Sequence, residues 1–445
     1  MGIQLTSDQV LALAPDSGSA ANGKKLANPR HWKSLGQSEE AVWGECQGSA
    51  LYQVQVELAS MTVKCSCPSH KFPCKHGLGL LLLSVAAQSV PAAEPPEWVR
   101  AWLAKRATAA EQRATKTEQK DAKTAPEEAA KAAAKRAEKR LTLVQRGVAS
   151  LDLWMSDLVR NGLASVESQP ATFWERQAAA MVDAQAPGLA ARLRQMAGIP
   201  GASREWPEKL LGELGRLALL THSFARIEAL DAALQEDVRQ LVGWALKEEE
   251  VGERGEHVLD DWLVLGQHVV DEDRGRTQRT WLLGAETRRP ALLLQFSFMG
   301  QPFKEQLLPG TAQRAELVFW PGAAPLRARF DARHGELRPL TAMPGADTIQ
   351  AALRTIADAL ARQPWHDRFL CVLRAVTPVC AEGGAAWHVV DREGVALPLV
   401  DDDHWRLLTL SGGAPVDLAG EWNSETLRPL GMIAEGTYHA LGGAA

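Results

Sequence analysis

The sequence predicts a multidomain α+β protein, with a small cysteine-bearing ββα unit near the N-terminus, a helical middle domain and an antiparallel β-rich C-terminal region. Three observations predict it. A cysteine–histidine cluster occupies residues 64–77, a helical apolar rhythm sets in after residue 141, and short apolar runs broken by Gly and Pro follow residue 271. With 445 residues, 46% of them hydrophobic, the chain can bury large cores and divides into about two to four domains. Six cysteines are too sparse for a disulfide scaffold, so a reducing cytoplasm is the expected compartment. The longest apolar run, GLGLLLLSVAA, falls short of the roughly 20 residues that cross a bilayer, and no membrane span is expected.

The N-terminal unit is expected over residues 1–102. Its centre is KCSCPSHKFPCKHG, Lys64 to Gly77. Cys65, Cys67, Cys74 and His76 form C-x-C-x6-C-x-H, whereas Cys46, Cys371 and Cys380 stand apart. Residues two apart on a strand point the same way, so Cys65 and Cys67, at the end of the extended TVKCSC, can grip one ion from one side. Pro68 ends the strand, and Pro73 keeps Phe72 out of the helical region, so Cys74 stands at the entry to the helix HGLGLLLL. Cys74 and His76 then converge only if Cys74 sits in the non-helical approach and His76 in the first turn. Three thiolates and an imidazole complete a tetrahedral zinc set with no place for water or substrate, which makes one structural Zn2+ the expected cofactor. Redox chemistry would need C-x-x-C rather than C-x-C. His70 is an alternative ligand and Cys46 a fifth candidate, although an exposed turn histidine and a buried strand thiol are the commoner fates.

The cluster is preceded by two strand-like segments, AVWGECQGS and LYQVQVELAS, and followed by the apolar helix. Together these resemble a SWIM-type zinc finger over about residues 43–87, and the segments WGECQGS, YQVQVEL and KCSC…FPCKHGLGLLLL resemble the bacterial SWIM zinc finger family proteins. The resemblance implies a ββα zinc unit with ligands Cys65, Cys67, Cys74 and His76, binding of DNA or protein, and no catalysis. It also implies a partner system, a MoxR-type AAA+ ATPase and a von Willebrand A-domain protein.

Residues 103–140 read as a charged alanine-rich linker, with eleven basic against six acidic residues. This surplus either touches phosphates or serves as a solvated spacer. Residues 141–270 read as a helical domain. Its first seam is Leu141, Val144, Val148, Leu151, Met155 and Leu158, expected to pack against neighbouring helices, with a dimer seam as the alternative. Residues 271–445 read as the β-rich region, including a strand in HWRLLTLSG and a helix in TIQAALRTIADALARQPWHDRFL. The tryptophans, fifteen in all, are expected mainly in cores.

No catalytic residue is assigned. The candidates for an enzyme reading are His257, Asp260 and Asp261 in GEHVLDDW, and Asp401, Asp402, Asp403 and His404 in VDDDHW. Clustered carboxylates with a histidine can bind metal or move protons, but three adjacent aspartates in a connection usually form a solvated turn. Two binding roles remain. A non-catalytic scaffold, mainly protein-binding, agrees with the net charge of −5. Nucleic-acid binding through Lys64, Lys71 and Lys75 is the alternative. Zinc with three thiolates carries −1, so that patch keeps an excess of only about two charges.

Overall fold

The computed structural model describes the chain apart from residues 1–5, 12, 49, 59–60, 70, 87–89, 107–125, 273–274, 299–300, 302, 382–385 and 442–445. Two short helices, α1 (Ser7–Leu11) and α2 (Ser17–Leu26), precede a four-stranded antiparallel sheet in the order β1 (Trp32–Gln37), β2 (Ala41–Gln47), β3 (Leu51–Glu57), β4 (Thr62–Cys65). Helix α3 (Lys75–Val85) closes the unit. The expected ββα finger is therefore present, extended by β1 and by the two N-terminal helices. Its core joins Val42, Cys46, Val54, Val56 and Val63 from the strands to Leu80, Leu81 and Leu83 of α3. Glycine lets α2 and α3 touch: a Cβ on Gly79 would lie 2.8 Å from Leu26 Cβ, and one on Gly23 2.8 Å from Leu78 Cβ. Residues 97–106 are helical (α4), and Val99 packs on Ala41 and Trp43 of β2.

Helix α5 runs from Pro126 to Asn161. The later part of the expected 103–140 linker is thus backbone of this helix, as its alanine content favours, while residues 107–125 lie outside the described residues. The predicted seam is the buried face of α5. Val144, Val148, Leu151, Met155 and Leu158 enter one core with Trp174 of α6 (Ala171–Asp183), Leu193 of α7 (Pro187–Met196), Leu214 of α8 (Trp206–Ala225) and Val238 of α9 (Ala232–Val242). The seam is occupied within the chain.

The change from helix to strand comes earlier than residue 271. After α10 (Glu248–Arg254), the long strand β5 spans Glu256–Glu272. Its first half contains acidic residues that masked the strand pattern, because buried Asp260 has its partners in a distant turn. Strands β6 (Gly275–Gly284), β7 (Pro290–Phe298), β8 (Thr311–Phe319) and β9 (Ala328–Pro339) complete an antiparallel sheet in the order β7-β6-β5-β8-β9. The sheet curls until the Leu292 N–H of β7 donates to Leu326 O, just before β9, at 2.7 Å.

After α11 (Ile349–Arg362), a six-stranded sheet follows in the order β12-β11-β10-β13-β14-β15. Its members are β10 (Phe369–Cys380), β11 (Trp387–Val390), β12 (Ala396–Pro398), β13 (Val416–Trp422), β14 (Leu427–Ala434) and β15 (Thr437–Ala440). The expected strand in HWRLLTLSG is instead a helix, α12 (Trp405–Ser411). Asp403 Oδ1 accepts the Trp405 N–H at 2.9 Å in a turn just before it, and Gly412 ends it with φ 60°, so the local turn and the left-handed glycine outweigh the strand propensity of Trp and Thr. The two large sheets meet through Leu263, Leu265, Val372, Ala419 and Ile433, and Tyr438 Oη donates to Leu265 O at 2.9 Å.

Candidate metal centre

Strand β4 carries Cys65 at its end, and the chain then turns through Pro68 and the cis Phe72–Pro73 peptide to Cys74. Cys74 is the N-cap of α3, in extended conformation (φ −72°, ψ 166°), and His76 is the second helical residue. This is the break in helical geometry that their spacing demands. The ligand atoms of Cys65, Cys67, Cys74 and His76 all lie within 4.8 Å of one another. His76 Nδ1 stands 3.8 Å from Cys65 Sγ and 3.9 Å from Cys74 Sγ. Zinc bonds of ordinary length would place those atoms about 3.6 Å apart. The four residues therefore fit one zinc ion, with His76 presenting Nδ1.

The thiols show why a cation belongs among them. Hydrogen bonding from Cys65, and then from His76 and the Gly77 N–H, holds Cys74 down to about 4 against its burial. The same Cys65–Cys74 bond, with burial, pushes Cys65 up, and burial pushes Cys67 up. Zn2+ supplies the positive charge that lets all three thiols ionise. Cys46 is a buried β2 thiol, pushed up to about 11 by burial, and lies outside the four-residue group. His70 lies outside the described residues.

Each lysine of the predicted contact set has a different setting. Lys64 is exposed on β4. Lys71 Nζ pairs with Asp16 Oδ2 at 2.7 Å, and Asp16 is held down to about 2 by that bond and by the Ser19 N–H. Lys75 opens α3 and shares a cavity with Lys71, whereas Lys64 is not among its lining residues. Sequence reasoning missed Asp16, and it missed Tyr52, whose ring centroid stands 4.9 Å from that of His76. Their separation along the chain gave no signal.

The two acidic clusters come apart. Burial pushes Asp260 up, but hydrogen bonds from Thr287, Glu286 and Asp261 outweigh it and hold it low. Asp261 pairs with Arg338 at 2.6 Å. His257 instead meets Glu316, with Nδ1 to Oε1 at 3.0 Å, and Asp331 at 3.8 Å, and its Nε2 faces Gly252 O at 2.8 Å. Asp402 and Asp403 accept N–H groups of Asp403 and Trp405, and His404 Nε2 bonds Val400 O at 2.8 Å, so VDDDHW is a turn and a helix start.

Comparison with protein families matches residues 52–84 to the SWIM zinc finger and residues 139–242 to the SWIM-associated four-helix bundle domain. No curated protein and no solved structure matches the chain. Among the described residues no helix is long and apolar enough to cross a membrane. The first match contains all four ligands, and the second covers the α5 seam and the helices packed on it. Residues 52–84 are accordingly a SWIM zinc finger, with Cys65, Cys67, Cys74 and His76 placed to hold one zinc ion, and residues 139–242 that follow are the SWIM-associated four-helix bundle.

Proposed function

We propose that the protein is a non-catalytic interaction scaffold whose finger binds chiefly other proteins. The observation that carries this reading is the Lys71–Asp16 pair at 2.7 Å. It leaves Lys64 and Lys75 as the cations of the expected contact set without an acidic partner among the described residues, and only Lys75 faces the cavity. A nucleic-acid backbone needs several phosphates neutralised together for useful affinity at physiological salt. A four-ligand zinc site supports the non-catalytic part of the reading, because catalytic zinc keeps a coordination position open. A MoxR-type AAA+ ATPase and a von Willebrand A-domain protein are the partners to try first.

The test measures binding of the zinc-loaded full chain to duplex and single-stranded DNA across about 50–200 mM salt, alongside a pull-down with those two partner classes. Capture of either partner, lost in Cys74→Ser, is the expected result. Micromolar DNA binding that persists at about 150 mM salt and weakens in Lys64→Ala and Lys75→Ala would promote nucleic acid instead.

A further inference from the structure

Beside the metal centre lies a cavity of about 470 Å³. Ser19 and Asn22 of α2 form one side, and Tyr52, Lys71, Lys75 and His76 of the finger form the other. His76 is only 4% exposed. With Nδ1 turned to the sulfurs, a metal there fixes the ring proton on Nε2, and no described residue accepts a hydrogen bond from that nitrogen. Metal-bound imidazoles almost always give their second N–H to a carboxylate, a carbonyl or water. His76 lines the cavity, so an acceptor seated there would lie beside this ring.

The charges around the cavity are specific. Lys71 is matched by Asp16, whereas Lys75 has no acidic side chain as partner among the described residues. It stands beside a metal centre whose zinc and three thiolates together carry −1, so the wall as a whole tolerates little added negative charge. Helix α2 also begins here, but its N-terminus is already capped by Asp16, whose carboxylate accepts the Ser19 N–H at 2.6 Å. The Tyr52 ring, tilted 35° to the His76 ring, supplies an apolar wall. One lysine without an acidic side-chain partner among the described residues, one N–H of a mostly buried ring and an apolar wall suit a singly charged group on a short aliphatic stem. A phosphate monoester carries nearly two charges, and a phosphodiester backbone would need more cations along the rim, where Lys64 is not among the lining residues.

We infer that this cavity receives an Asp or Glu side chain of a protein partner, with Lys75 Nζ and His76 Nε2–H as its donors. The inference rests on the protein-binding reading above and gives it a contact chemistry.

The test uses zinc-loaded full-length protein labelled with 15N at histidine, with 113Cd substitution to assign His76 through its metal coupling. The probes are N-acetylglutamate α-amide, its glutamine counterpart and inorganic phosphate. The expected result is a saturable shift of His76 Nε2–H with the glutamate probe in the millimolar range and none with glutamine. Lys75→Ala weakens it about tenfold, the value of one hydrogen bond to a charged group, and Lys64→Ala leaves it unchanged. Equal shifts with glutamine, tighter binding of phosphate, or no response to Lys75→Ala would overturn the assignment. Partner capture that is undiminished in Lys75→Glu would likewise overturn the cavity assignment while leaving the protein-binding reading in place.

Discussion

At Cys74 the backbone passes from an extended conformation into the first turn of α3, and this change brings His76 beside the thiols. The ligands needed no distant residue to be recognised, because donor type and spacing already describe the coordination shell. Asp237 is the contrary case. On α9, it accepts the Ala323 N–H at 2.7 Å, and burial pushes its pKa up to about 6. The folded state therefore holds a proton that the unfolded state has released between about pH 4 and 6, so stability falls as pH rises through that window. Asp237→Asn keeps an acceptor for Ala323 without the buried charge. It is expected to gain about 1–3 kcal/mol at pH 8 and nothing near pH 4, with the dependence across the window flattened. Urea midpoints at the two pH values check this, and an equal effect at both would refute it.

Among the elements, α3 carries the finger. It buries His76 through Leu83 along its length and meets α2 where Gly79 faces Leu26. The apolar run foretold the helix but not the partner that its glycines admit. Gly79→Val would force these helices apart, with an expected cost of about 1–3 kcal/mol from overpacking. Zinc stoichiometry should remain one, because the ligands lie before the contact. Denaturant midpoints with metal analysis separate the two effects, and loss of zinc at unchanged stability would contradict the account. In α5 the seam was legible because its period is that of a helix. In β5 the acidic residues broke the strand alternation, and only the Thr287 turn that receives Asp260 explains them.

For the whole molecule, the finger is not a detached bead. Leu308 and Leu337 of the β-rich region pack into the finger core, and Gln9 Nε2 donates to Gly310 O at 3.0 Å. Zinc binding energy is folding energy for a small finger, so its removal should be felt across that contact. Chelation is expected to raise amide hydrogen exchange in the finger and also around residues 307–311, leaving the α5–α9 core protected. Exchange confined to the finger would show that the shared contact contributes little.

The sequence by itself determined the zinc ligands, the strand-to-helix entry at Cys74 and the buried face of α5, since each depends on donor chemistry or periodicity within a short stretch. Tertiary structure decided that Lys71 pairs with Asp16, that α2 and the finger enclose one cavity, that His257 meets Glu316 and Asp331 rather than its neighbouring aspartates, and that Leu308 lies under the finger. Those outcomes depend on side chains far apart in the chain, whose meeting is set by packing of whole elements and leaves no local spacing to read.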